Sequence, residues 1–152
     1  MVLSMDVQET AQETSVTSGS VLIVDDSQAI RERLASLVSR ISIVGKVLMA
    51  ARMREAVQIA ASERPAVVLV DVHIGDGDGE TLLCELRQSL PKSCLVALVR
   101  YNSPAIAEEY KRLGADNCFD KGMELALLLD LVAHRAAGQM QPSKTEQEEK
   151  TP

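Results

Sequence analysis

The chain has 152 residues, 46% of them hydrophobic and 25% charged, which is enough for one domain with its own apolar core. Its 22 acidic residues outnumber its 16 basic ones, and the formal net charge of −6 comes without any basic cluster. This balance argues against binding to the phosphate backbone of nucleic acid, and the 2% aromatic content argues against stacking on bases.

The three cysteines, Cys84, Cys94 and Cys118, form no C-x-x-C motif. We therefore expect buried reduced thiols rather than a zinc site or a disulfide framework. The N-terminus lacks the basic start and apolar run of a signal peptide, and no apolar run is long enough to span a membrane. These features predict a cytoplasmic protein with no membrane partner.

Composition divides the chain into three parts. Residues 1–20 are rich in Thr, Ser, Gln and Glu without sustained periodicity, which predicts a disordered leader. Residues 138–152 are polar and predict a flexible tail that is too short to form a second domain. The single folded domain is expected over residues 21–137.

Within that domain, short apolar runs alternate with stretches of helical spacing. The runs predict five strands, at residues 21–24, 46–50, 65–71, 94–99 and 117–119. Apolar positions at helical spacing predict five helices, within residues 30–41, 53–60, 82–90, 104–113 and 123–136. The alternation predicts an α/β fold. We expect a flavodoxin-like, doubly wound sheet of five parallel strands in the order 2-1-3-4-5, with helices on both faces.

Polar residues follow three of these strands at one edge of the predicted sheet. Asp25 and Asp26 follow the first strand, Asp71 ends the third and Lys121 follows the fifth. Because the first and third strands are neighbours in this order, we expect the three carboxylates to converge. Such a cluster is costly unless a cation neutralises it, and carboxylates are ligands that Mg²⁺ accepts. The ammonium group of Lys121 suits an anionic oxygen.

A carboxylate beside Mg²⁺ and a lysine can attack a phosphoryl group and form an aspartyl-phosphate. Asp71 is the best candidate for this nucleophile because it stands alone at its strand end, whereas Asp25 and Asp26 are better placed to hold metal. A plainer alternative makes the Asp25–Asp26 pair a helix cap. Asp76 and Asp78 are interpreted as turn residues, since the spacing of a calcium loop is missing.

The pattern resembles the receiver domain of bacterial two-component response regulators, from about residue 21 to residue 136. The resemblance rests on five motifs in the expected order: Asp25–Asp26, Asp71, Asp78–Gly79, Gly114–Ala115–Asp116 and Lys121. It implies that a histidine kinase or a phosphotransfer protein donates a phosphoryl group to Asp71. By the same resemblance, Asp26, Asp71 and the backbone carbonyl of His73 would bind Mg²⁺ directly, Asp25 would bind it mainly through water, and Lys121 would pair with the phosphate.

The sequence departs from the family where the fourth strand ends. Counting back from Lys121 without gaps places Val99 where receivers usually carry Thr or Ser; counting forward reaches Tyr101, but the strand pattern favours Val99. The side chain of valine cannot donate a hydrogen bond to a phosphoryl group. The missing hydrogen bond would cost about 1 kcal/mol of stability in the phosphorylated state. Asn102 and Ser103 are candidates to replace that bond from the loop.

Three further positions differ from the usual receiver pattern. Cys118 stands where the fifth strand usually carries an aromatic residue, and Gly75 and Gly122 replace prolines. These changes keep phosphoryl chemistry in place but weaken the case for the usual Thr/aromatic switch. They leave open a second interpretation, in which the chain is an adaptor that works without phosphorylation.

The leading hypothesis is a single-domain response regulator that signals by contact with a downstream protein. It would have no enzyme activity beyond self-catalysed phosphorylation and dephosphorylation. Leu127 and Leu131 lie off the apolar stripe of the last helix, which predicts either deep burial or a partner surface, such as a homodimer through the last two helices. Two enzyme classes on a similar sheet are disfavoured. A haloacid-dehalogenase-type phosphatase would need Asp-x-Asp after the first strand, where this chain has Asp-Asp-Ser. A flavodoxin or dinucleotide binder would need a loop of hydrogen-bond donors there, where this chain has acids.

Overall fold

A computed structural model describes residues 16–137 of the chain. The predicted tail and residues 1–15 of the predicted leader lie outside the described residues. Within residues 16–137, none of the helices combines the length and apolarity needed to cross a membrane.

In the described part of the chain, five strands alternate with five helices. The strands are β1 Thr17–Val24, β2 Lys46–Ala50, β3 Pro65–Asp71, β4 Cys94–Val99 and β5 Asn117–Asp120. The helices are α1 Gln28–Ser39, α2 Met53–Glu63, α3 Gly79–Ser89, α4 Pro104–Arg112 and α5 Leu125–Arg135. All strand pairs are parallel, in the order β2-β1-β3-β4-β5. The predicted fold class and strand order are confirmed.

The core consists of two aliphatic layers, one on each face of the sheet. Helices α2, α3 and α4 cover the face that carries Val68 and Val70, and helices α1 and α5 cover the face that carries Val67 and Leu69. All seven residues of β3 are buried, because this strand is central and covered on both faces. The continuous apolar run before Asp71 therefore places that carboxylate at the end of a strand that is buried on both faces.

Strand β1 begins at Thr17, four residues before the predicted start, so residues 17–20 belong to the sheet and not to the leader. The start of β1 can be polar because its side chains form hydrogen bonds to backbone groups inside the fold. The Ser20 hydroxyl donates to the carbonyl of Thr17 at 2.6 Å and accepts from the Ala66 amide at 3.2 Å. The Gly45 amide donates to the carbonyl of Gly19 at 2.8 Å.

Two helix starts are also set by short polar side chains. Ser27, rather than Asp26, caps α1 by accepting a bond from the Ile30 amide at 3.3 Å. Asp78 caps α3 by accepting from the Glu80 amide at 3.0 Å, so this residue begins a helix as well as ending a loop. Helix α5 begins at Leu125, two residues later than predicted.

Gly79, the first residue of α3, allows that helix to start against the end of β3. A Cβ atom placed on Gly79 would lie 2.2 Å from the backbone oxygen of Val72 and 2.5 Å from its Cα. Backbone atoms cannot move aside cheaply at such a distance. Glycine at this position therefore fixes how closely α3 packs behind Asp71.

We expect Gly79→Ala to lower the free energy of unfolding by about 2 kcal/mol, the usual scale of overpacking. Gly45→Ala is the matched control, because a Cβ at that exposed glycine meets nothing within 4 Å; it should change stability by no more than about 0.5 kcal/mol. Urea unfolding followed by circular dichroism measures both. Equal effects of the two substitutions would contradict the packing described for Gly79.

Candidate functional site

The three carboxylates predicted to converge do meet at the carboxyl ends of β1 and β3. Asp25, Asp26 and Asp71 each offer one oxygen, and these oxygens all lie within 4.8 Å of one another. Asp25 and Asp71 are buried and Asp26 is exposed, so the cluster opens to solvent on the Asp26 side. The pairing of Val24 with Val70 in the sheet brings the two strand ends together.

Backbone amides fix the orientation of each carboxylate. The Ser27 amide donates to Asp25 Oδ1 at 2.9 Å, and the His73 amide donates to Asp71 Oδ1 at 2.9 Å. Each of these is a local turn in which an aspartate bonds to the amide two residues later. The Arg31 guanidinium donates to the backbone carbonyl of Asp25 at 2.8 Å and holds that residue from α1.

Asp26 is held by a different contact, which spans two loops. The Gly75 amide donates to Asp26 Oδ2 at 2.8 Å. A proline at this position would have no N–H to donate, and any Cβ here would lie 2.6 Å from Asp26 Oδ2. In the sequence Gly75 stands out only as a missing proline, whereas in the structure it makes a hydrogen bond that proline cannot make.

Lys121 brings a positive charge between the two buried carboxylates. Its Nζ lies 3.1 Å from Asp25 Oδ2 and 3.3 Å from Asp71 Oδ2. Its backbone amide donates to the carbonyl of Val99 at 3.1 Å, which ties the end of β5 to the end of β4. The predicted convergence of the lysine with the acids is therefore observed, with the ammonium group bridging two carboxylates.

Burial raises the pKa of Asp25, because the charged carboxylate loses its water. The Ser27 amide and Lys121 act in the opposite direction, and the charge of Asp71 raises this pKa further. A bound cation would offset both the energetic cost of burying the Asp25 charge and its repulsion by Asp71. The donors are carboxylate oxygens, with the carbonyl of His73 in the adjoining loop, and this hard-oxygen set fits Mg²⁺.

Val99 ends β4 next to the site and is 2% exposed. Its side chain belongs to the apolar core on the α3 face of the sheet, and it carries no donor. The two loop residues expected to replace the hydroxyl are engaged elsewhere. Ser103 caps α4 by accepting from the Ile106 amide at 3.2 Å, and the Asn102 amide group donates to the carbonyl of Cys118 at 2.9 Å. Both side chains are therefore already bonded within the loop and to β5.

The side chain of Asn102 instead links the loop before α4 to β5 and the start of α5. In addition to the Cys118 carbonyl, it donates to Glu124 Oε1 at 3.1 Å and accepts from the Ser103 amide at 2.9 Å. The Cys118 thiol donates to Asn102 Oδ1 at 3.5 Å. Burial raises the pKa of Cys118 to about 11. No sequence pattern indicated this network, because its partners are 16 and 22 positions apart and meet only in the folded domain.

Comparison with known proteins agrees with the observed fold. A family model described as response regulator receiver domain matches residues 21–133. The response regulator protein FleR of Pseudomonas aeruginosa is 32% identical over 128 residues, which are 84% of this chain and 26% of FleR. The chain thus spans about a quarter of the length of FleR, and about half that of the photosynthetic apparatus regulatory protein RegA of Cereibacter sphaeroides.

Two solved structures show the same architecture. Chemotaxis protein CheY4 of Vibrio cholerae superposes with a TM-score of 0.68 at 26% identity, over 78% of this chain and 99% of CheY4. A response regulator protein from Burkholderia pseudomallei, solved with a phosphorylated aspartic acid, calcium ion and citrate, gives a TM-score of 0.65 at 28% identity, over 88% of this chain and 75% of that one. Since the family model matches well over half of the chain, the protein belongs to the response regulator receiver domain family.

Proposed function

We propose that the chain accepts a phosphoryl group on Asp71 from a histidine kinase or a phosphotransfer protein, and that a downstream protein reads the modified state by direct contact. Receiver domains are signalling phosphoacceptors, and the arrangement of this site supports that role for Asp71. The observation that carries the proposal is the position of Lys121 Nζ, 3.1 Å from Asp25 Oδ2 and 3.3 Å from Asp71 Oδ2.

In the proposed reaction, a carboxylate oxygen of Asp71 attacks phosphorus while the bond from phosphorus to the donor nitrogen breaks. The His73 amide holds Asp71 Oδ1, which leaves Oδ2 facing Lys121. After transfer, the ammonium of Lys121 pairs with an oxygen of the new phosphoryl group in place of the Asp71 carboxylate. The flexible stem of lysine allows this short movement.

Mg²⁺ would be held by Asp26, Asp71 and the carbonyl of His73, with Asp25 mainly through water, and it would neutralise the charge that builds up on the phosphoryl oxygens. The Gly75 amide prepares this arrangement, because it holds Asp26 Oδ2 toward the loop that carries His73. The related Burkholderia pseudomallei protein was solved with a phosphorylated aspartic acid and a calcium ion. That similarity supports a divalent cation beside the acceptor here.

The partner surface is proposed at α4, β5 and α5. Helix α4 contributes no fully buried residue, and only its partly buried residues Ile106, Ala107 and Tyr110 pack against the core. Tyr101, Met123 and Leu127 on or beside these helices expose 81%, 85% and 56% of their surface. A downstream protein or a second copy of the chain would cover these apolar groups.

A second candidate function is a receiver-like adaptor that acts without phosphorylation. The observation that favours it is the combination of Val99, which has no hydroxyl, with Asn102, whose side chain is already bonded to β5. The complete acid cluster and Lys121 oppose it. The two candidates differ in whether Asp71 is modified and in whether modification reaches α4.

The acceptor role is tested by incubating the chain with Mg²⁺ and a small acyl phosphate, then measuring intact mass. We expect the wild type to gain the mass of one phosphoryl group, in a form that alkaline hydroxylamine removes. Asp71→Asn should gain nothing, and omission of Mg²⁺ should suppress the gain. An unmodified wild type, or equal modification of Asp71→Asn, would refute Asp71 as the acceptor.

Communication from the site to α4 is tested through the thiol of Cys118. At pH 8, only roughly one part in a thousand of a thiol with a pKa of about 11 is ionised, so Cys118 should react slowly with iodoacetamide, whereas exposed Cys84 reacts readily. We expect Asn102→Ala, and separately beryllofluoride with Mg²⁺, to speed alkylation of Cys118. Buried Cys94, whose pKa is also about 11, is the internal control.

Peptide mass spectrometry gives the three alkylation rates separately. If beryllofluoride binds but the Cys118 rate stays unchanged, the site is not coupled to α4 through Asn102. That result would favour the adaptor over the phosphorylation-dependent regulator.

A further inference from the structure

The loop between β3 and α3, residues 72–78, carries two groups of the proposed cation site. It contains the backbone carbonyl of His73 and the Gly75 amide that holds Asp26. The position of this loop therefore decides whether the oxygens around the cation are correctly placed. Its first half is bonded to the acids themselves, and its second half lies against the start of α2.

Met53, the first residue of α2, contacts that second half through its thioether. Its Sδ accepts a hydrogen bond from the Asp78 amide at 3.1 Å. A Cβ atom placed on Gly77 would lie 1.9 Å from the same sulfur, 3.2 Å from Cγ and 3.3 Å from Cε. The methionine side chain thus occupies the space that any side chain at position 77 would need.

The backbone of Met53 adds a second link to the loop. Its amide donates to both oxygens of Asp76, at 3.3 and 3.2 Å. Arg52, which precedes α2, makes no capping bond with its own side chain, so Asp76 supplies the cap from another loop. Three consecutive loop residues, 76 to 78, therefore contact Met53.

We propose that Met53 and Gly77 are a matched pair of positioning residues for the cation site. The inference rests on the proposed Mg²⁺-dependent function. An unbranched thioether fits a narrow space and can accept a weak hydrogen bond, which leucine or alanine cannot do. Without that contact the loop keeps only the Asp76 bond to the Met53 amide on the α2 side. The Gly75 amide and the His73 carbonyl are then held less firmly relative to Asp26.

The two residues can be tested from opposite sides of the same contact. Met53→Ala removes the sulfur. Gly77→Ala displaces it, because the far end of a methionine moves more easily than backbone. The Met53→Ala/Gly77→Ala double variant completes a double-mutant cycle. Met53→Leu fills the space again but offers no hydrogen-bond acceptor. Met49→Ala is the matched control, since Met49 is a half-exposed methionine on β2.

Isothermal titration of the full chain with MgCl₂ gives the affinity, and circular dichroism checks the fold of each variant. We expect Met53→Ala and Gly77→Ala each to weaken Mg²⁺ binding by about 10-fold, the lower end of the range seen when groups that orient metal ligands are removed. The double variant should bind no more weakly than the weaker single one, because both changes remove one contact. Met53→Leu should recover part of the loss, and Met49→Ala should bind like the wild type.

Wild-type affinity in the folded Met53→Ala and Gly77→Ala variants would overturn the inference while leaving the proposed function intact. A double variant whose loss is the product of the two single losses would also overturn it, since the residues would then act independently. A wild-type chain that binds no Mg²⁺ would overturn the proposed function as well. If Met53→Ala does not fold, Gly77→Ala and Met53→Leu decide the question.

Discussion

Repulsion among three carboxylates at one edge of the sheet is the constraint on which the rest of the site depends. Parallel strands bring Asp25 and Asp71 side by side and bury them, so their negative charges meet where water screens them poorly. The ammonium of Lys121 lies within 3.3 Å of both and offsets part of that cost. The remaining charge makes a divalent cation favourable. The cluster is therefore tolerated in the fold because of the same positive charges that the proposed phosphoryl chemistry requires.

The positions of the strands along the chain could be predicted because hydrophobic burial determines them. The apolar runs of β3 and β4 have the same bounds in the sequence and in the structure, and the polar ends of β1 and β3 predicted the acid cluster. The start of β1 could not be predicted this way. Ser20 is polar by composition but buried, and its hydroxyl satisfies two backbone partners that only the folded sheet brings near. A buried polar residue of this kind interrupts the apolar run by which a strand is recognised in the sequence.

The surroundings of the site depend on contacts between residues far apart in sequence, which local patterns do not record. Gly75 bonds to Asp26 across 49 positions, and Asn102 bonds to Glu124 across 22. The first contact explains why a glycine replaces the expected proline. The second gives Asn102 a role that Val99 and Cys118 alone did not indicate: it connects α4, β5 and α5 through one amide side chain. The sequence predicted which acids and which lysine meet, but not what holds them in place.

The most direct test of this account is the stability of a Lys121→Met variant, which keeps an unbranched side chain but removes the charge. Its free energy of unfolding should be measured in a chelator and in excess Mg²⁺, beside the wild type. In chelator we expect a loss of about 3 kcal/mol, the scale for removing one partner of a buried ion pair, and Mg²⁺ should restore most of it. A variant as stable as the wild type in chelator, or one that gains nothing from Mg²⁺, would contradict the claim that positive charge holds the acid cluster together.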